Sequence, residues 1–73
     1  MRELREIIFI VREDPEGGYV AEAVGEGIVT QADSLEELRA MVRDAVRCRF
    51  TADDPARPRL IRLHFVRDEI VAA

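Results

Sequence analysis

Apolar residues alternate with polar ones in several short stretches of this 73-residue chain, and they recur at helical spacing in one longer stretch. Residues 5–13, REIIFIVRE, are apolar on both faces, which is typical of a strand in the centre of its sheet. Alternation in residues 19–24 and in the shorter residues 28–32 predicts a second and a third strand. The glycine-containing residues 14–18 and 25–27 predict the turns that join these strands.

Apolar residues recur at the spacing of an α-helix after residue 32. Ser34 followed by Glu37 is a capping box, S-x-x-E, which predicts the start of the helix. The helix is expected to end near Cys48 or Phe50. Its predicted apolar stripe consists of Leu35, Leu38, Val42, Ala45 and Val46, with Met41 beside it. The polar residues before Leu35 are therefore interpreted as a strand end and a helix cap, and not as a reactive site.

Residues 51–58, TADDPARP, predict a loop in which Asp53 and Asp54 form turns. Residues 59–66, RLIRLHFV, predict a fourth strand. The residues expected on one face of that strand are Ile61, Leu63 and Phe65.

The predicted fold class is α+β, with elements in the order β-β-β-α-β. Two hairpins make the first three strands an antiparallel meander, and the helix returns the chain through a right-handed crossover. Because the first strand is apolar on both faces, it is placed in the centre, with the fourth strand parallel to it. The expected product is a mixed four-stranded sheet of order 3-2-1-4 with one helix on one face. Ala21 and Ala23 leave room for the helix, so they are placed on its side together with Phe9 and Val11.

One helix leaves the second face of the sheet uncovered. A chain of this length buries only about 60% of its unfolded surface, and oligomerisation is a common remedy. We therefore expect a homodimer or a dimer of dimers. The predicted oligomer interface consists of Ile8, Ile10, Val20, Arg62, His64 and Val66.

The net charge of −4, from 15 acidic and 11 basic residues, argues against a free-standing nucleic-acid-binding protein. It favours an acidic protein that binds a basic partner. The single cysteine, Cys48, excludes an internal disulfide and fits a reducing cytosol. Residues 1–14 do not resemble a signal peptide, and their apolar run is too short to span a bilayer. We expect one cytoplasmic domain, residues 1–73, without membrane contact.

The predicted strand order resembles the first part of an RNase H-like fold, in which a catalytic carboxylate is expected in the middle of the first strand. Here Glu6 and Glu13 lie only at the ends of that strand. His64 has no second histidine to join it, and Cys48 is interpreted as a half-buried packing residue. The sequence therefore predicts a protein that is not an enzyme and that has no catalytic, cofactor-binding or metal site.

Three arginines, Arg39, Arg43 and Arg47, are spaced four residues apart and predict a ridge along the helix. Such a ridge can contact phosphates. Glu36 and Asp44 flank the ridge and can pair with it, so a solvated, salt-bridged surface is the favoured interpretation.

Residues 17–38, GGYVAEAVGEGIVTQADSLEEL, resemble the HicB-like antitoxin family. The family pattern has a glycine turn, a Y-x-A strand, a short turn that contains glycine, a T-x-G-D-S/T joint and a helix that opens L-E-E. The matching residues are Gly18, Tyr19, Ala21, Glu22, Gly27, Thr30, Gln31, Asp33, Ser34, Leu35, Glu36 and Glu37. The family's glycine before the joint aspartate is Ala32 here.

The resemblance implies a β-β-β-α-β domain, a partial RNase H-like fold, that is not itself an enzyme. In that family the domain oligomerises and masks a small basic RNA-cleaving toxin of the HicA type. Many members add a C-terminal DNA-binding domain, whereas only RDEIVAA follows the fourth strand here. The chain is thus expected to resemble a single-domain member without direct DNA binding. The alternative is an orphan, stand-alone homo-oligomer with a non-catalytic role such as small-ligand binding.

Overall fold

Four strands and one helix follow one another in the predicted order. The computed structural model describes residues 5–73. Residues 1–4, which belong to the predicted domain 1–73 and to the charged N-terminal stretch, lie outside the described residues. The elements are β1 (Glu6–Glu13), β2 (Tyr19–Ala23), β3 (Val29–Ala32), α1 (Leu35–Arg49) and β4 (Leu60–Val66). Each strand boundary lies within one residue of its prediction.

The sheet has the order β3-β2-β1-β4, so β1 is central as its two apolar faces predict. It pairs antiparallel with β2, where Phe9 lies opposite Ala23. It pairs parallel with β4, where Phe9 lies opposite Leu63. The α+β fold and the strand order are therefore confirmed.

The β1–β2 turn depends on glycine and on Asp14. The Asp14 carbonyl accepts a hydrogen bond from the Gly17 amide at 2.9 Å, and its carboxylate accepts one from the Glu16 amide at 2.8 Å. Gly18 has φ +81°, and a Cβ at this position would lie 2.6 Å from the Ala32 carbonyl oxygen. Only glycine fits here, because the turn presses closely on the end of β3.

The cap of α1 forms at the residues that the sequence predicts. Ser34 is extended, and its hydroxyl accepts a hydrogen bond from the Glu37 amide at 3.1 Å. At the other end, the Phe50 amide donates to the Val46 carbonyl at 2.9 Å. The polar joint before α1 is thus a helix cap, as interpreted from the sequence.

The core lies between α1 and one face of the sheet. The helix contributes Leu38, Val42 and Val46, which pack against β3 and β2. The buried apolar residues are Ile7, Phe9, Val11, Ala21, Ala23, Ala32, Leu38, Val42, Val46 and Phe50. Ala21 and Ala23 are therefore on the helix side with Phe9 and Val11, as predicted.

The helix does not cover β4 equally well. Phe65 shares the helix side of the sheet with Val11, its partner across the β1–β4 pairing, yet half of Phe65 is exposed. The reason is lateral position, because α1 lies over β3 and β2 while β4 is at the opposite edge. The prediction of one helix on one face is correct, but coverage of that face decreases on β4, where Ile61 and Leu63 pack partly against the core and Phe65 is half exposed.

The prediction that Cys48 is half-buried is wrong, because its thiol is free and exposed. Two residues of α-helix turn the side-chain direction by about 200°. Because Val46 faces the core, Cys48 faces solvent.

Candidate functional site

The sheet surface turned away from α1 holds all the predicted interface residues. We call this surface the open face. Strand register defines it, since residues directly opposite one another share a face. Ile8 lies opposite Arg62, and Ile10 lies opposite His64. Arg12 lies opposite both Val20 and Val66, which completes the set.

The open face carries apolar residues on all four strands. Ile8 is 37% exposed, and two residues that the sequence analysis missed are more exposed still, Leu60 at 45% and Val29 at 61%. Val29 pairs with Glu22, and Leu60 pairs with Glu6, which places both on this face. The alternation of side chains between the two faces of β3 and β4 could have identified Val29 and Leu60 from the sequence. Polar residues, including Glu22, lie between these apolar ones.

One ion pair joins β1 to β4 across the open face. Arg62 Nε hydrogen-bonds to Glu6 Oε1, and Arg62 Nη2 lies 3.2 Å from Glu6 Oε2. This two-pronged hydrogen bond, more than the charge alone, lowers the pKa of the Glu6 carboxyl below its usual 4.5. It also raises the pKa of Arg62. The guanidinium of Arg62 is therefore held in place by its own chain.

The two edge strands of the sheet differ in length. The β3 edge has four residues, whereas the β4 edge has seven. Unpaired backbone groups on an edge strand favour pairing with another chain. The longer edge also carries the half-exposed Phe65. The β4 edge is therefore the larger template for strand addition.

Carboxylates gather where β1 and β3 end and where β2 and α1 begin. We call this region the acidic end, and its members are Glu13, Asp14, Glu16, Asp33, Glu36 and Glu37. The sheet topology brings them together, because the β1–β2 turn and the β3–α1 joint lie at the same end. A depression of about 240 Å³ separates the turn from the joint, and Asp14, Tyr19, Asp33 and Glu37 line it.

The residue types that most often carry chemistry are not brought together. His64 lies on the open face, whereas Cys48 lies on the solvent side of α1. Asp54 is engaged in its turn, where its carboxylate accepts a hydrogen bond from the Ala56 amide at 2.8 Å. Within residues 5–73, no three His, Cys, Asp or Glu side chains meet as ligands of one metal ion would.

The arginine ridge of α1 is exposed, as predicted. The expected pairing of this ridge with Glu36 and Asp44 is not formed. In the part of the chain that the structure describes, the ion pairs are Arg62–Glu6 and Arg49–Glu26, the latter at 3.8 Å. In that same part, α1 is too short and too polar to cross a membrane.

Comparison with known proteins finds two similar chains of about the same length. A UPF0150 protein from Thermotoga maritima is 39% identical over 72 residues, which cover 99% of both chains. A UPF0150 protein from Archaeoglobus fulgidus is 52% identical over 54 residues, which cover 74% of this chain and 77% of the relative. No family model matches the sequence, and no solved structure matches it.

Proposed function

The chain belongs to the UPF0150 protein family, and we propose that it is a HicB-like, antitoxin-like binding module that masks a small basic RNA-cleaving toxin of the HicA type. The observation that carries this proposal is the pattern of residues 17–38. In the structure these residues form one continuous unit, from the glycine turn through β2 and β3 to the first turn of α1. A partial RNase H-like fold is part of the proposal.

The charge of the acidic end supports a basic partner. Asp33, Glu36 and Glu37 come from the resembling segment itself, and the β1–β2 turn adds further carboxylates beside them. A surface of one charge sign attracts a partner of the opposite sign and orients it during encounter. The acidic end is therefore the proposed docking surface for the toxin.

The open face supports self-association into a homodimer or a dimer of dimers. Ile8, Val29 and Leu60 are exposed there in the single chain, although a domain of this size benefits from further burial. A two-fold contact is the commonest way for identical chains to bury such a surface. The same surface supports the alternative function, a stand-alone homo-oligomer with a non-catalytic role, because self-association needs no toxin.

A non-enzymatic role is also proposed. Glu6 and Glu13 lie at opposite ends of β1, about 23 Å apart at the usual rise of a strand, so they cannot act on one substrate bond. Incubation of the protein with RNA and DNA in Mg²⁺ or Mn²⁺ tests this role. Cleavage that disappears on Glu6→Gln or Glu13→Gln would overturn it.

Sequence-specific DNA binding is not expected, because the net charge is −4. A salt-resistant, sequence-dependent gel shift on its own promoter would contradict this.

A reducing, cytoplasmic location is proposed from the exposed, free thiol of Cys48. Modification of this thiol in intact cells, without prior reduction, would support that location.

The decisive experiment asks whether a small basic protein is encoded beside this gene and, where one is, measures its binding to this chain. We expect a complex that inhibits RNA cleavage by that partner. Replacing Glu13, Asp33 and Glu36 by their amides should weaken the complex at least about tenfold, because it removes charge from the acidic end. The control replaces Asp44, Asp68 and Glu69 by their amides, which removes the same charge elsewhere.

Equal weakening by both triple variants would contradict docking at the acidic end. A stable homo-oligomer that leaves the partner's RNA cleavage unchanged would favour the stand-alone alternative.

A further inference from the structure

A group of arginines lines two adjoining depressions at the end of the molecule opposite the acidic end. The larger depression, of about 920 Å³, is lined by Arg5, Arg57 and Arg59 together with Ala52, Asp53, Asp54, Pro55 and Pro58, so two carboxylates share it with three arginines. The smaller, of about 360 Å³, shares Arg57 and Arg59 and extends to α1. We call the two together the arginine cleft, and its arginines are Arg5, Arg43, Arg47, Arg57 and Arg59.

In the described part of the chain the arginines of the cleft form no ion pairs, although Asp53 and Asp54 lie in the same lining. Among residues 5–73 the arginines in ion pairs are Arg49 and Arg62, and neither lines the cleft. Arg49 also stacks on the Phe50 ring at 5.1 Å. The chain has 15 acidic residues against 11 basic ones, so an overall excess of positive charge does not explain the cluster. Unpaired like charges repel one another, and a bound anion would relieve that repulsion.

The loop that presents two of these arginines is fixed by backbone hydrogen bonds. The Arg57 amide donates to the Asp54 carbonyl at 3.0 Å, and the Arg59 amide donates to the Arg5 carbonyl at 2.9 Å. Pro58, between them, is buried. Arg43 and Arg47 stand one turn apart on α1. The guanidinium groups thus start from anchored backbone positions, which lowers the ordering cost of binding.

We propose that the arginine cleft binds the phosphodiester backbone of a single-stranded nucleic acid. Guanidinium groups bind phosphate through paired hydrogen bonds. Helix-dipole stabilisation accounts for Arg47 at the end of α1 but not for Arg57 and Arg59 in the loop. The two depressions adjoin at Arg57 and Arg59, so a flexible single strand can follow the cleft from the loop to α1.

The lining of the cleft also predicts the character of the binding. Among the described residues no aromatic side chain lines either depression, so these residues offer bases no surface on which to stack. Contacts to phosphate alone do not distinguish sequences. Binding should therefore be independent of sequence and strongly dependent on salt. This agrees with the absence of sequence-specific DNA binding expected above, and it does not depend on a toxin.

Fluorescence anisotropy of a labelled single-stranded RNA, titrated with the whole protein, tests the proposal. Neutralising about five phosphates predicts an affinity that falls roughly 100-fold between 50 and 200 mM salt. Arg57→Gln with Arg59→Gln should weaken binding at least about tenfold, and so should Arg43→Gln with Arg47→Gln. The matched control, Arg12→Gln with Arg39→Gln, removes the same charge outside the cleft and should change affinity less than about twofold.

Circular dichroism of each variant verifies folding, and Arg→Lys variants, which keep the charge, should recover part of the affinity. Single-stranded DNA that binds as well as RNA supports a site for the backbone, and tighter binding of RNA assigns the 2′-hydroxyl a role. Tighter binding of a duplex, or of polyglutamate, would overturn the proposal. So would equal losses in the cleft and control variants, or no binding at about 100 µM protein in low salt.

Discussion

The two faces of β1 have similar residues but different surroundings. Towards α1, Ile7 and Phe9 are 5% and 0% exposed. Towards the open face, Ile8 is 37% exposed and Ile10 is partly exposed. The residue types do not distinguish the faces, since isoleucine occurs on both. The difference arises because one short helix follows β3 and lies on one side only.

The comparison shows that an apolar residue has a different role on each face. On the covered face it is part of the core of the single chain. On the open face it is only partly buried in the single chain, and further burial would require a second molecule, as in the proposed homo-oligomer. Changes on the covered face should therefore lower the stability of the fold, whereas changes on the open face should lower the stability of the assembly.

The largest expected effect is on the covered face. Phe9→Ala removes a fully buried ring from the centre of the core and should lower the free energy of unfolding by about 3–5 kcal/mol. Phe65→Ala is the matched control, because Phe65 is on the same side but half exposed, and it should cost about 1 kcal/mol. Urea denaturation measures both. Equal losses of unfolding free energy in the two variants would show that α1 covers β4 as well as it covers β1.

The next effect is on the open face. Ile8→Asp should dissociate the proposed homo-oligomer and lower the melting temperature together, because it places a charge in the interface. Ile10→Asp should act in the same way. Met41→Asp is the control, since Met41 on α1 is 40% exposed, close to the 37% of Ile8. Light scattering gives the mass, and a stable wild-type monomer at micromolar concentration would contradict the proposed interface.

A smaller effect is expected at the start of the helix that covers the core. Ser34→Ala removes the acceptor of the Glu37 amide and should lower the free energy of unfolding by about 0.5–2 kcal/mol. Ser34→Asp retains an acceptor and should lose much less. Thermal denaturation compares the two variants. An unchanged stability with a loss of partner binding would show that Ser34 serves the binding site and not the cap.

The smallest effect is expected at the ion pair on the open face. Because Arg62 lowers the pKa of Glu6 in the folded chain, the pair stabilises the fold above pH 4.5. That contribution should disappear as the pH falls from 4.5 through the lowered pKa. Glu6→Gln should abolish this part of the loss of folding stability at low pH, whereas Glu22→Gln, on the same face, should retain it. Urea denaturation at several pH values makes the comparison.

The sequence predicted the fold well because its patterns are local. The two apolar faces of β1, the glycine turns and the Ser34 cap each follow from a few neighbouring residues. The exposure of Cys48 was predicted wrongly, although the helical phase from Val46 contains the answer. The six predicted interface residues share one face because strand alternation fixes the side of each, but their role in an interface stays a prediction.

The sequence by itself determined the elements, their order and the side of the sheet on which each residue lies, because periodicity is a property of the chain. Only the tertiary structure decided that α1 lies over β3 and β2, which leaves Phe65 half exposed. It also brought Asp14 beside Asp33, and Arg5 beside Arg57 and Arg59. These neighbours are distant along the chain, and the position of a helix across a sheet depends on packing that no local pattern contains.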